Sequence, residues 1–452
     1  MINLLSLSGV LSTVWSIFLA ILMLLIMISI HELGHYIAGK IFKFKINEFA
    51  IGMGPAVYKR KSKKTGEVFS VRALPLGGFC SFEGEDENSE DKGAFNNKEP
   101  WKRIIVLVAG ATMNLVLGII ILTLSVGIYG QLCVCAYDVK PISDAEYVGY
   151  TLQDEDVILE VDGKNVFLAN DLMEKLDGKK KGEVVTVKVL ANGEVVERKV
   201  RLRNDVTVAN LTDPYRAFTA LGIATIQEVS GGELDGCYLL SYKDNLSGER
   251  KQIYYVEELA SYAKTLSVNE TLTFYYLNQD GERLEKSVVL TEDLSLKSNG
   301  EILQYLGISE TSTLLKYANE NVKFSFFETI ERGFQYSFSI GGTIFRTLGE
   351  LLTGKLSIRA MGGTVTTVKL TAEAIKFGGF NYFLEMAGFI GVNLAVFNLL
   401  PIPALDGSRA VFCVIEWIRK KPLNRKVEGV IHAVGLVLLL GFSILVDLLQ
   451  LF

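Results

Sequence analysis

Long uninterrupted apolar segments lie towards both ends of the chain. No charged side chain occurs from Met1 to Ile30, from Ile104 to Tyr137, or from Met386 to Leu405. The hydrocarbon core of a bilayer is crossed by a helix of about 20 apolar residues, so each of these segments is long enough to span it. The pattern predicts four transmembrane helices, at about residues 11–42, 104–128, 383–400 and 429–446.

Between the second and third apolar segments, the pattern is that of a water-soluble α/β domain. Strand patterns occur at residues 157–161, 184–190 and 195–202. The last two strands would form a hairpin around Asn192-Gly193, and residues 170–176 would form a short helix. This order of elements resembles a PDZ domain of the bacterial protease type. Such domains bind peptides along an exposed sheet edge, which residues 132–139 would supply here.

Two further segments are expected to lie at the membrane surface. Residues 49–55 and 69–79 flank a turn in a basic loop. Their pattern predicts the strands of a small β-hairpin beside the membrane. The segment from Phe326 to Leu352 is amphipathic, and its uncharged part is too short to span a bilayer. An interfacial helix is therefore expected there.

These patterns predict a polytopic α-helical membrane protein with four transmembrane helices, a membrane-associated β-hairpin and an extracytoplasmic α/β insert of the PDZ type. The expected regions are an N-terminal membrane part (residues 1–130), a PDZ domain (131–203), a second degenerate PDZ-like or unrelated insert (204–320), an amphipathic interfacial helix region (321–360), and a C-terminal membrane part (361–452).

Composition agrees with a mixture of membrane and soluble parts. Hydrophobic residues make up 49% of the 452 residues, and the mean hydropathy is +0.29. The net charge of -5 gives no indication of a nucleic-acid partner. Five scattered cysteines indicate neither a disulfide framework nor a thiolate metal site.

The first apolar segment ends in the pentapeptide His31-Glu32-Leu33-Gly34-His35. Ionisable side chains are costly in hydrocarbon, so they indicate a functional site with partners. Residues i and i+4 share one face of a helix, and His31 and His35 can therefore present two imidazoles to one Zn²⁺. Glu32 can then take a proton from the attacking water. The alternative is a chance pentapeptide whose histidines form hydrogen bonds between helices.

A third metal ligand is expected from a carboxylate, because no further histidine is suitably placed. Asp406 follows the third apolar segment, where Pro401 and Pro403 would break the helix. A broken helix is tolerated in a membrane where its backbone lines a cavity. Considered alone, Asp406 would be interpreted as a turn or helix-cap residue. Together with the paired histidines, it is predicted to be a metal ligand. His432 is expected to pack or to form a hydrogen bond between helices.

The distribution of basic residues predicts the orientation in the membrane. The loop after the first span and the loop before the fourth are both basic, and such loops face the cytoplasm. Both termini and the PDZ region would then be extracytoplasmic. His31, His35 and Asp406 would lie together at the cytoplasmic side of the membrane.

The paired motifs resemble those of the site-2 proteases, which are intramembrane zinc metalloproteases, and most closely the bacterial regulator-of-sigma-E-protease type. The likeness rests on the HELGH sequence, on the stretch from Asn398 to Gly407, and on the PDZ pattern between the second and third spans. The segment from Gly110 to Asn114 is similar to the family's second-helix motif, although Ala111 stands where proline is common. For Asn114, helix packing with one hydrogen bond and a role at the site are both open.

The resemblance implies that His31, His35 and Asp406 bind Zn²⁺ and that Glu32 is the general base. Asn398 would hold the substrate or polarise its carbonyl. An edge strand at Gly77, Gly78 and Phe79 would hold the unwound substrate extended.

The implied substrates are single-pass membrane proteins within the lipid bilayer. Examples are an anti-sigma factor already trimmed by a site-1-type protease, or remnant signal peptides. Two other classes of membrane protein are alternatives to a protease. A PDZ-bearing membrane adaptor without catalysis is disfavoured by the complete set of ligands and base. A zinc transporter would spread its polar residues along a pathway, whereas here they converge at one end of two spans.

Overall fold

Four long apolar helices form the framework of the first of two units in the computed structural model. The structure describes residues 7–85, 89–136, 148–206, 215–223, 226–234, 237–248, 250–253, 256–277, 283–316, 319–354 and 362–449. One unit comprises Met1–Gly130 with Lys323–Phe452, and the other comprises Gln131–Val322. All the predicted site residues belong to the first unit.

The elements follow one another along the chain in a membrane-type, soluble-type, membrane-type order. The helices are α1 (Leu7–Ile41), α2 (Pro100–Tyr129), α3 (Ala169–Leu176), α4 (Tyr215–Leu221), α5 (Val256–Ala263), α6 (Asn299–Tyr305), α7 (Phe326–Leu352), α8 (Thr364–Leu399), α9 (Asp406–Arg419) and α10 (Arg425–Leu449). The strands are β1 (Ile46–Lys61), β2 (Val68–Phe82), β3 (Gln131–Val134), β4 (Val157–Val161), β5 (Lys164–Asn165), β6 (Val184–Ala191), β7 (Glu194–Arg201), β8 (Ile226–Gly232), β9 (Tyr238–Lys243), β10 (Arg250–Gln252), β11 (Thr271–Leu277), β12 (Arg283–Val289), β13 (Ile308–Lys316) and β14 (Asn319–Val322).

Within the described part of the chain, four helices are long and apolar enough to cross a membrane, as the sequence predicted. They are Thr13–Ile41, Pro100–Tyr129, Gly379–Leu399 and Lys426–Leu449. The third lies within the longer helix α8, whose backbone leaves helical geometry at Gly379 (φ +65°). The sequence pattern found only the second half of α8, because Lys369, Glu373 and Lys376 interrupt the apolar run before this kink.

Small residues bring α1, α2 and α8 into close contact. A Cβ added at Gly34 would lie 2.5 Å from the carbonyl oxygen of Ala109, and one added at Gly391 would lie 3.3 Å from the Cα of Gly118. Such contacts are typical of membrane helices, since small residues let the backbones approach. Helix α9 is tied to α2 by an ion pair between Arg103 Nη1 and Glu416 Oε2 at 2.6 Å, with both side chains buried. Helix α9 begins at Asp406, so this pair helps to fix that residue.

Strands β1 and β2 form an antiparallel sheet in which the first half of β1 is paired on both sides. Phe49 pairs with both Phe69 and Cys80, and Ile51 pairs with both Val71 and Gly78. The last residues of β2 are therefore an edge of the sheet, while the first half of β1 is central. The strands occupy the segment where strands were predicted; their association with the membrane stays a prediction.

Helix α7 presents its apolar side outwards. Its exposed large side chains include Phe326, Phe327, Ile330, Phe334, Phe338 and Phe345. Its buried positions face α2 and α8: a Cβ at Gly333 would touch Thr123, and the hydroxyl of Tyr336 donates to Glu385 Oε1 at 3.0 Å. A helix with polar and small residues inside and phenylalanines outside suits lipid surroundings. Its predicted position at the interface stays a prediction.

The described residues of the second unit form three sheets, and two of these have separate cores. The first sheet has the strand order β5-β4-β6-β7, and its core continues beyond residue 203 to Phe218, Leu221 and Ile223. The predicted edge strand at residues 132–139 is described only as far as residue 136. Over Gln131–Val134 one side of this strand is occupied, because β3 pairs there with β14. The partner lies almost 190 residues away, which no local pattern could reveal. The assignment of residues 131–203 as a PDZ domain stays a prediction.

The second sheet accounts for most of the insert that the sequence left open. Its strand order is β12-β11-β9-β8-β13, with β10 paired to β9. Helices α5 and α6 cover it and contribute Leu259, Ala260 and Ile302 to an apolar core. Residues 226–316 therefore contain a packed α/β structure of their own.

Candidate metal centre

The two histidines of α1 and the first residue of α9 bring three possible ligand atoms together. His31 Nε2 lies 2.9 Å from Asp406 Oδ2 and 3.0 Å from His35 Nε2. His35 Nε2 lies 3.3 Å from the same carboxylate oxygen. Both histidines are 7% exposed. Among the described residues, these three are the only group of this kind that could hold a metal ion.

Local backbone features place each of these side chains. His31 and His35 stand one turn apart on α1, as the spacing predicted. Helix α8 ends at Leu399, and a short segment containing both prolines leads to Asp406 at the start of α9. Helix α9 can start so close to α8 because residue 407 is glycine: a Cβ there would lie 2.3 Å from the carbonyl oxygen of Leu399.

A hydrogen bond sets the orientation of the His35 imidazole. The carbonyl oxygen of Val106 lies 2.8 Å from His35 Nδ1, which leaves Nε2 facing His31 and Asp406. Asn398 Nδ2 is 3.5 Å from His31 Nδ1. The contact of His35 with a backbone carbonyl is typical of metal-ligating histidines, which commonly donate their second ring N–H to a carbonyl or carboxylate.

The donor set fits a divalent transition metal such as Zn²⁺. Two imidazole nitrogens and one carboxylate oxygen are the ligand types and number found in hydrolytic zinc sites, and they leave a fourth position open. Burial raises the pKa of Asp406, but hydrogen bonding and the charges of His31 and His35 outweigh this and hold the pKa below its usual range. The carboxylate is therefore ionised and available as a ligand.

Glu32 lies beside this group and against the edge of β2. Its carboxylate accepts a hydrogen bond from the backbone of Cys80 and is close enough to interact electrostatically with His31 and Asp406. Burial, with further contributions from Glu32 and other carboxylates, raises the pKa of the Cys80 thiol. Cys80 is therefore a neutral thiol, which is a poor metal ligand.

Gly77, Gly78 and Phe79 lie in the edge segment of β2 next to Glu32. A Cβ at Gly78 would lie 2.9 Å from the carbonyl oxygen of Ala50 and 3.4 Å from Glu32 Cγ. Gly77 has φ +84°, a value that L side chains rarely adopt. Glycine at these positions lets the edge approach α1 closely.

Two buried residues of α2, Asn114 and Gly110, lie in the segment that resembles the family's second-helix motif. Asn114 is fully buried, and neither atom of its carboxamide has a hydrogen-bond partner. Of its two open interpretations, the one that includes a hydrogen bond between helices is therefore not met here. Gly110 lies one turn earlier, directly against the two imidazoles. The run of small residues around Gly110 was the sequence signal for this contact.

The contact at Gly110 leads to a prediction about metal affinity. A Cβ at this position would lie 2.5 Å from His35 Nε2 and 2.8 Å from His31 Cε1. We expect Gly110→Ala to weaken Zn²⁺ binding by about 10–100-fold, the range typical of changes to groups that orient metal ligands. Competition with a chromophoric chelator measures this affinity.

The matched control is Gly127→Ala on the same helix. There the added Cβ would meet only Thr329 Cγ2, at 3.3 Å, so we expect affinity close to that of the wild type. Equal affinity in the Gly110→Ala variant and the wild type would contradict the tight packing of α2 against the imidazoles.

Comparison with known proteins identifies the family. The model of peptidase family M50 matches residues 19–442. Over 460 residues the chain is 27% identical to the regulator of sigma E protease of Haemophilus influenzae, covering 96% of this chain and 98% of that protein. It is 26% identical to the zinc metalloprotease RasP of Bacillus licheniformis, covering 92% of this chain and 94% of that protein. These matches confirm the predicted family, and the chain belongs to peptidase family M50.

Proposed function

We propose that this protein hydrolyses peptide bonds within or next to the transmembrane segments of single-pass membrane proteins. It is a zinc metalloendopeptidase, as its family and the names of its relatives indicate. The observation that carries the proposal is the convergence of His31, His35 and Asp406 beside Glu32. The histidines and Glu32 lie on a helix apolar enough to cross a bilayer, and Asp406 follows the end of another. Groups so costly to bury are retained in membranes for function.

The roles proposed for the side chains follow from their positions. His31, His35 and Asp406 would hold the metal. When bound, Zn²⁺ supplies a Lewis acid that polarises the scissile carbonyl and lowers the pKa of the attacking water to about 7. Glu32 accepts the proton of that water and returns it to the leaving amine. General acid–base catalysis of this kind typically contributes about 10²–10⁴-fold to the rate.

Asn398 is proposed to hold the substrate or to polarise its carbonyl. It lies in the last turn of α8, and its amide nitrogen is 3.5 Å from His31 Nδ1. This distance is long for a hydrogen bond, so the amide is not committed to the imidazole. It is therefore free to turn towards a substrate carbonyl.

The edge of β2 is proposed to hold the substrate in an extended conformation. A transmembrane helix keeps its carbonyls in internal hydrogen bonds, so it must unwind before attack. The unwound backbone then needs new partners, because unsatisfied peptide groups are costly in a membrane. The segment Gly77, Gly78 and Phe79 lies within β2, where Gly78 and Phe79 pair with β1, and Gly78 lies next to Glu32. Strand addition there would bring a peptide bond to the general base.

The substrates and the orientation in the membrane are part of the same proposal. Substrates of the anti-sigma-factor type, already trimmed by a site-1-type protease, and remnant signal peptides both present a single transmembrane helix. The positive-inside rule supports a cytoplasmic location for the loops after α1 and before α10. The metal centre would then face the cytoplasmic side, and residues 131–322 would be extracytoplasmic.

The proposed role of Glu32 predicts a loss of cleavage without loss of metal. Glu32→Gln removes the proton acceptor but keeps the size of the side chain. We expect cleavage of a tagged single-pass substrate in liposomes to fall by at least about 10²-fold, with Zn²⁺ content unchanged. Glu285→Gln, on the exposed strand β12, serves as the matched control and should cleave normally.

Two results would contradict this account. Cleavage by Glu32→Gln at the wild-type rate would remove Glu32 from the mechanism. Wild-type protein that binds Zn²⁺ but cleaves no single-pass substrate would favour the non-catalytic adaptor.

A proline on the edge of β2 tests the proposed strand addition. Phe79→Pro removes one backbone N–H from this edge segment and leaves the metal ligands unchanged. We expect cleavage to decrease while Zn²⁺ affinity stays at the wild-type value. Val57→Pro is the control, because it lies in the exposed second half of β1, away from this edge. Equal cleavage by both variants and the wild type would show that this edge does not bind the substrate.

A further inference from the structure

Helix α10 contacts the segment that carries the third ligand. The backbone N–H of Ala404 donates to Nδ1 of His432 at 3.1 Å. His432 is 9% exposed, and its ring packs edge-on against Phe412 of α9, with centroids 5.6 Å apart. The histidine therefore lies between the segment before Asp406 and the helix that follows it.

The backbone at Ala404 is in a costly conformation. Its φ is +85°, in the region that side chains other than glycine rarely adopt. Residues held in such conformations persist only when their surroundings enforce them. Pro401 and Pro403 have no backbone N–H, and within the segment the N–H of Leu405 donates to the carbonyl oxygen of Ile402 at 3.1 Å. The hydrogen bond to His432 ties this turn to α10.

A second contact from α10 acts on the same segment. A Cβ at Gly435 would lie 2.4 Å from Pro403 Cβ and 2.6 Å from the carbonyl oxygen of Pro403. His432 and Gly435 are three positions apart and share one face of the helix. This face of α10 thus contacts both Pro403 and Ala404, immediately before Asp406.

We propose that His432 is a positioning residue that fixes Asp406 for metal binding through the strained backbone at Ala404. The proposal rests on the function assigned above to Asp406. His432 does not act as a ligand itself, since Nδ1 accepts the Ala404 N–H and the residue is not part of the ligand group among the described residues. Instead, it pairs the backbone N–H of Ala404, and so holds the segment in the conformation that directs Asp406 towards the histidines.

The test compares three substitutions that differ in where they place a hydrogen-bond acceptor. The Asn carboxamide oxygen can occupy the position of Nδ1, whereas Gln extends its amide further and Ala has no acceptor. Zn²⁺ affinity of the purified full-length protein is measured by chelator competition. We expect His432→Ala and His432→Gln to bind Zn²⁺ about 10–100-fold more weakly, and His432→Asn to bind close to wild type. Cleavage of the single-pass substrate should follow the same order.

A second pair of variants tests the role of the strained backbone. Glycine adopts a positive φ without strain, so Ala404→Gly should make the segment less dependent on His432. We expect the double variant, with Ala404→Gly and His432→Ala, to recover part of the Zn²⁺ affinity lost in His432→Ala. Gly441→Ala is the control on the same helix, because a Cβ there meets no atom within 4 Å.

The possible results separate this proposal from the function on which it rests. Wild-type affinity in His432→Ala, or a loss in His432→Asn as large as that in His432→Ala, would overturn the positioning role. Failure of His432→Ala to fold leaves the comparison of Asn with Gln, which decides the same point. Asp406→Asn is measured alongside: if it retains wild-type Zn²⁺ affinity, the ligand assignment itself is wrong, whatever His432 does.

Discussion

The contacts among His31, His35 and Asp406 are the constraint on which the membrane unit depends. They join α1 to the start of α9 across 375 positions of sequence. Imidazoles and carboxylates are expensive to bury in apolar surroundings, and only mutual contacts or a bound cation can offset that cost. The contacts therefore require four helices, α1, α2, α8 and α9, to pack together at this site. The end of α8 and the start of α9 lie where they allow this packing.

Glycine residues allow this close packing at the points where one helix approaches the backbone of another or the two imidazoles. Gly34 allows α1 to pack closely against α2, and Gly110 allows α2 to pack against the two imidazoles. Gly407 allows α9 to begin next to the end of α8. The break between α8 and α9 then places the Asp406 carboxylate within hydrogen-bonding distance of the imidazole of His31. The edge of β2 reaches Glu32 beside the two imidazoles, so the proposed base lies next to a strand edge.

The sequence predicted those parts of the structure that depend on local patterns. The four spans follow from uninterrupted apolar runs, and the pairing of His31 with His35 follows from helical periodicity. Other features depend on contacts between distant residues. The double pairing of β1, the pairing of β3 with β14 and the outward phenylalanines of α7 could not be read from composition. His432 is the clearest case, because only the folded chain shows that it holds Ala404.

The coordination of the metal is tested most directly by X-ray absorption at the zinc edge of the purified protein. The account predicts two imidazole ligands, with nitrogen and oxygen neighbours only, at about 2.0–2.2 Å. A sulfur neighbour at about 2.3 Å would indicate a cysteine ligand and contradict the account. A spectrum with a single imidazole would equally contradict it, since His31 and His35 must both bind.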